Sequence, residues 1–126
     1  MKFIDSNILV FAFTHNNQTD KCISLLETQE CIINTLVLVE TFAKLSTIVN
    51  KEYAQSIVKN LFKKENIHII NLDQFLLFES LKRQPKYSQL KIFDLIHYTT
   101  ALLNNCSSIV SYDNDFIGLE LPLEYP

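Results

Sequence analysis

Four carboxylates interrupt or border strongly apolar runs: Asp5 in FIDSN, Glu40 in TLVLVETF, Asp94 in KIFDLIHY and Asp113 in SIVSYDNDF, with Asp115 two residues beyond the last. Burying a charge is costly unless it is paired or coordinates a metal. No Lys or Arg stands beside Asp5, Glu40 or Asp113, and only Lys91 is near Asp94. Two bare carboxylates about 4 Å apart repel by roughly 4 kcal/mol at an effective dielectric near 20. Four together would push one another's pKa values up and titrate as a group unless a cation intervened. Mg²⁺ or Mn²⁺ suits such a site, because hard cations take oxygen donors. An ion so held lowers the pKa of a bound water and neutralises charge on a phosphate in flight. Phosphodiester hydrolysis is the reaction this donor set implies.

The elements that would have to gather these acids follow from the apolar pattern. Short apolar runs alternate with longer amphipathic ones, as in an α/β protein with a mostly parallel sheet of four or five strands. Strands are expected at Lys2 to Ile4, Cys31 to Asn34, Ile67 to Leu72 and Ser108 to Ser111, with a short last one at Leu121 to Leu123. Asn7 to Thr14 fits a short buried helix, and Thr19 or Asp20 can cap another running to about Glu30. Apolar residues recur at helical spacing at Leu38, Phe42, Leu45 and Val49, and again at Ala54, Ile57, Val58, Leu61 and Phe62. Helices over Thr35 to Val49 and Glu52 to Lys64 should therefore pair antiparallel. Asp73 can cap the next helix, Gln84 to Gln89 reads as a loop, and Ile92 to Leu103 is a further helix ending at Asn104 and Asn105. Asp5 and Asp113 then lie just past the carboxyl ends of two strands, where open parallel sheets bind ligands. Glu40 falls early in one helix and Asp94 opens another, so all four acids converge if those two strands are neighbours.

Composition narrows the classes. A chain of 126 residues is expected to form one domain, residues 1–126. Its single Gly excludes any Gly-rich phosphate loop. The net charge of −3 does not favour nucleic-acid binding by bulk electrostatics, although Lys82, Arg83, Lys86 and Lys91 form a local basic stretch ahead of Asp94. Cys22, Cys31 and Cys106 have neither disulfide-framework nor zinc spacing and read as buried free thiols. No apolar run reaches the length of a membrane span, and Asp5 breaks what would be a signal-peptide core, so a soluble, cytoplasmic protein is expected.

In order and spacing, FIDSNIL, LVLVETFAKL, FDLIHYTTALLNN and IVSYDNDF resemble the motifs of PIN-domain nucleases. The short single-domain form is similar to the VapC-type toxins of toxin–antitoxin pairs. The resemblance implies a three-layer α/β/α fold and a metal site made by Asp5, Glu40, Asp94 and Asp113, with Asp115 helping through water. It also implies that Asn7 and Ser111 brace the first and last acids. Mg²⁺- or Mn²⁺-dependent endoribonuclease activity, homodimerisation and inhibition by a small antitoxin protein are further implications. Ser111 stands where Thr is more usual, and Asn105 replaces a frequent Gly.

Each acid alone has an ordinary explanation: Asp5 as a helix cap, Asp94 as a dipole partner, Asp113 and Asp115 as turn residues, and Glu40 as a solvent-facing helix residue, although Val39, Phe42 and Ala43 leave it little polar face. His97, three residues after Asp94, could contact a phosphate, orient Asp94 or simply pack over the helix start. His15 and His68 read as structural or exposed, Tyr87, Tyr98 and Tyr112 as core or rim aromatics, and Thr99 and Thr100 as packing residues. The apolar residues of the paired helices between Thr35 and Lys64 are candidates for a partner surface as well as for the core. Two alternatives remain: a non-catalytic PIN-like module binding RNA or protein, and another Mg²⁺-dependent phosphoryl-transfer hydrolase. A haloacid-dehalogenase-like phosphatase would need an acid where Asn7 stands.

Overall fold

The computed structural model describes residues 1–126. Five parallel strands form one sheet in the order β3-β2-β1-β4-β5: β1 (Lys2–Ile4), β2 (Cys31–Asn34), β3 (Ile67–Ile70), β4 (Ser108–Val110) and β5 (Leu123–Glu124). Six helices connect them: α1 (Ser6–Ala12), α2 (Thr19–Thr28), α3 (Thr35–Ile48), α4 (Lys51–Leu61), α5 (Gln74–Arg83) and α6 (Ile92–Leu103). Parallel neighbours require crossovers, which are right-handed in about 98% of cases. Helices α1 to α4, which carry the chain from β1 through β2 to β3, therefore cover one face. Helices α5 and α6, which return it past β1 to β4, cover the other. The result is a three-layer α/β/α sandwich.

Its main core is built from short central strands with both faces covered. Phe3, Ile4, Ile33 and Ile109 are buried, as are Ile8 and Leu9 of α1 and Leu95 and Tyr98 of α6. Near-continuous apolar strands are what a sheet covered on both sides demands. The three cysteines are free and buried, and burial pushes the thiols of Cys31 and Cys106 up to about 11.

Several expected boundaries shift. Helix α2 begins after Gln18, which makes no side-chain cap; the Thr19 hydroxyl instead donates to the carbonyls of Phe11 and Thr14. Asn50 and Asp73 cap α4 and α5 through the amides of Tyr53 and Leu76. In α3 the buried stripe is Val37, Leu38, Thr41 and Leu45, whereas Phe42 and Val49 face outward; Phe62 beyond α4 is exposed too. Hydrophobic periodicity alone does not separate a core stripe from its apolar neighbours. The last strand lies at Leu123–Glu124 rather than at Leu121 to Leu123, because Glu124 is held there by Lys2 and Ser108. Asn105 adopts φ 53° after α6, the left-handed turn expected of it. Two side-chain hydroxyls, those of Ser46 and Thr99, are buried without partners.

Candidate metal centre

The sheet reverses its winding between β1 and β4, so a crevice opens at their carboxyl ends. Register decides what lines it. Ile4 pairs with Val110, and the Asp5 amide donates to the Val110 carbonyl at 3.1 Å, which sets Asp5 beside Ser111. On the other side of β1, Phe3 pairs with Ile32, which carries Asn34 to the level of Asp5.

Asp5 is 5 % exposed and serves two tasks. One oxygen accepts from the Ser6 amide at 2.7 Å, capping α1. The other accepts from the Ser111 hydroxyl at 2.7 Å and from the Asn7 amide group at 3.4 Å. Ser111 Oγ in turn accepts from Asn7 at 3.2 Å and from the Asp113 amide at 2.9 Å. The bracing role expected of Asn7 and Ser111 is therefore present as a hydrogen-bonded chain from the first acid to the last. Asp113 accepts from the Asp115 amide at 2.9 Å and caps a short 3₁₀ turn over Asn114–Phe116, an element the sequence did not suggest.

Glu40 enters the crevice from the second turn of α3. Its apolar neighbours Val39, Phe42 and Ala43, expected to leave it little polar face, are all exposed, and Glu40 itself is half-buried. What holds Glu40 is His97, whose Nε2 lies 2.6 Å from Glu40 Oε1. His97 thus orients Glu40, not Asp94, and its ring has no exposure for a phosphate to reach.

Asp94 lies in the first turn of α6 and shares a small cavity with Glu40, Lys91, Ile92 and Phe93. Burial, then the charges of Asp5 and Asp113, push its carboxyl up to about 7. Ligand atoms of Asp5, Glu40 and His97 lie within 4.8 Å of one another, as do those of Asp94, Asp113 and Asp115. Glu40 and Asp94 line one cavity, and the Ser111 hydroxyl links Asp5 to Asp113, which joins the two groups into one acidic crevice.

None of Asp5, Asp94, Asp113 or Asp115 is in an ion pair. Oxygen donors converging without a cation of their own fit Mg²⁺ or Mn²⁺. The basic stretch is mostly committed elsewhere: Lys82 and Arg83 pair with Glu79, and Lys86 pairs with Glu120. Lys91 alone remains unpaired at the crevice.

A family model described as PIN domain matches residues 2–120. The chain belongs to the PIN-domain family. Solved structures agree on the fold. VapC20 of Mycobacterium tuberculosis, described as a Sarcin-Ricin loop cleaving toxin, superposes with a TM-score of 0.85 at 11% identity over 100% of both chains. VapBC2 of Rickettsia felis, bound to a DNA fragment from its promoter, gives 0.74 at 21% identity, covering 99% of this chain and 98% of that one. A toxin–antitoxin complex from Klebsiella pneumoniae gives 0.73 at 19% identity, covering 95% and 93%. A comparison with curated protein sequences finds no match. In this PIN domain, no helix is long and apolar enough to cross a membrane.

Sequence reasoning missed Asn34 and the true partner of His97, and it gave Thr100 only a packing role. The apolar setting of IIN and the i, i+3 spacing of His97 and Thr100 were visible signals. Their meaning depends on β2 lying under α6, which only the topology supplies.

Proposed function

We propose that this PIN domain is a Mg²⁺- or Mn²⁺-dependent endoribonuclease, the toxin of a toxin–antitoxin pair, acting in the cytoplasm. The observation that carries the reading is the convergence of acids that follow β1 and β4 or sit on α3 and α6 at one sheet end, none of them ion-paired to a Lys or Arg. Asp5, Glu40, Asp94 and Asp113 would hold the cation, with Asp115 assisting through water. When bound, the ion supplies a water of lowered pKa and neutralises charge on the phosphodiester, the cut leaving a 5′-phosphate.

The remaining roles belong to the chain itself. Ser111 and Asn7 fix one Asp5 oxygen, and the Ser6 amide fixes the other while leaving it a lone pair for a ligand. Lys91, which lines the same cavity as Glu40 and Asp94, offers an approaching phosphate a positive charge. Net charge cannot supply RNA affinity, so binding should weaken as salt rises. The toxin–antitoxin complexes among the structural neighbours support an antitoxin partner, and the proposal adds a homodimer. Exposed Phe75 and Phe78 on α5, and Val39 and Phe42 on α3, give such partners apolar surface.

The test is incubation with structured RNA with and without Mn²⁺ and a chelator. Asp5→Asn should abolish metal-dependent cleavage while leaving the fold intact, because Asn also caps helices well. Retained cleavage in D5N would reject the assignment. A wild-type protein that binds no Mn²⁺ in a calorimetric titration would instead favour a non-catalytic module.

A further inference from the structure

His97 combines features that neither packing nor direct metal ligation explains. It is fully buried, yet both ring nitrogens have polar partners. Nε2 lies 2.6 Å from Glu40 Oε1, and Nδ1 lies 3.1 Å from Asn34 Nδ2. The ring also packs on Phe3, with centroids 5.6 Å apart.

The orientation of Asn34 fixes where the imidazole proton resides. Its Oδ1 accepts from the Val37 amide at 2.8 Å, the cap of α3, and a backbone N–H can only donate. The amide nitrogen must therefore be the atom facing α6. It donates to Thr100 Oγ1 at 2.9 Å, whose own proton goes to the Ile96 carbonyl at 2.7 Å. The same nitrogen faces His97 Nδ1, so Nδ1 is an acceptor and carries no proton. The proton on Nε2 is then donated to Glu40. With one nitrogen accepting from Asn34 and the other donating to Glu40, the ring has no lone pair left for a cation.

We propose that His97 is a positioning residue: Asn34 locks it as the Nε2–H tautomer, and it clamps one Glu40 oxygen so that the other is presented to the divalent cation. The proposal rests on the metal-binding reading given above and assigns His97 a place outside the ligand set. Outer partners that orient ligating groups are worth about 10- to 100-fold in metal affinity. A Glu has one more rotatable bond than an Asp, so Glu40 needs such a clamp more than Asp5 does.

Two measurements test it. In metal-free wild-type protein, long-range ¹H–¹⁵N correlation of the imidazoles should show His97 protonated at Nε2 only, its signals identified by their loss in H97Q. A proton on Nδ1 with a bare Nε2 would overturn the proposal and make His97 itself a cation donor. Calorimetric Mn²⁺ titration then compares three variants, each verified as folded by circular dichroism. Gln reaches about as far as imidazole Nε2 and can donate there, so H97Q should bind within about threefold of wild type. H97N, too short, and H97L, with no donor, should lose about 10- to 100-fold. Wild-type affinity in H97L overturns the role of His97, whereas absence of Mn²⁺ binding by the wild type overturns the metal reading itself.

Discussion

The two walls of the acidic crevice are built differently. On the Asp5 and Glu40 side every carboxylate is tied down: Asp5 by Ser6, Ser111 and Asn7, and Glu40 by His97. On the Asp94 side a carboxyl faces other carboxylates and is pushed up to about 7 by burial and by Asp5 and Asp113. One wall is set by hydrogen bonds before any ligand arrives. The other carries unrelieved repulsion, which a bound cation would relieve. Such a division fixes ligand geometry on one side and leaves the binding energy to come from the other.

Breaking the strained wall should have the largest effect. With Asp94 the direct ligand proposed above, Asp94→Asn is expected to lower Mn²⁺ affinity by more than about 100-fold, since losing a ligand exceeds the loss of an outer partner. It should also stabilise the metal-free protein. The folded state holds the Asp94 proton more tightly than the unfolded chain does. Its favourable contribution is thus complete below about pH 4 and is lost as pH rises through about 7. Above that pH the wild type carries a penalty that Asn lacks. The open crevice screens it, so the gain at pH 8 should be about 1–2 kcal/mol in urea unfolding, vanishing near pH 4. Equal stabilities at pH 8 would show that the wall is not strained. In the wild type, Mn²⁺ affinity should climb up to about pH 7 and then level off.

Loosening the ordered wall comes next. Ser111→Ala removes a buried hydroxyl that links Asp5 to Asp113, and should cost about 1–2 kcal/mol of stability. Mn²⁺ binding should fall by about 10-fold; calorimetry with no such loss would mean the brace serves folding alone. The smallest effect is expected at Lys91, which belongs to neither wall's acids. Lys91→Glu should weaken RNA binding several-fold and flatten its salt dependence, with Mn²⁺ affinity nearly unchanged.

The strained wall was easier to read from sequence than the ordered one. Asp94 and Asp113 stand out because an acid in an apolar run has few cheap explanations, and the alternation of strands and helices carried them to one end of the sheet. Glu40 was found for a partly mistaken reason, since Val39 and Phe42 beside it face outward. The order β3-β2-β1-β4-β5 then decides who touches whom. Asn34 lies 63 residues from His97 in the chain, and no local pattern announces their hydrogen bond. The basic stretch shows the converse: Lys82, Arg83 and Lys86 looked available in sequence and are occupied by Glu79 and Glu120 in space.

The lone hydroxyl of Thr99 has a practical corollary. It is sealed inside α6 with nothing to bond, so the fold carries a desolvation cost there that yields no contact in return. Replacing it with valine of nearly the same shape should raise the melting temperature, by the equivalent of about 1 kcal/mol. That substitution would give a sturdier parent molecule in which damaging changes around the crevice could be introduced without losing the protein to unfolding.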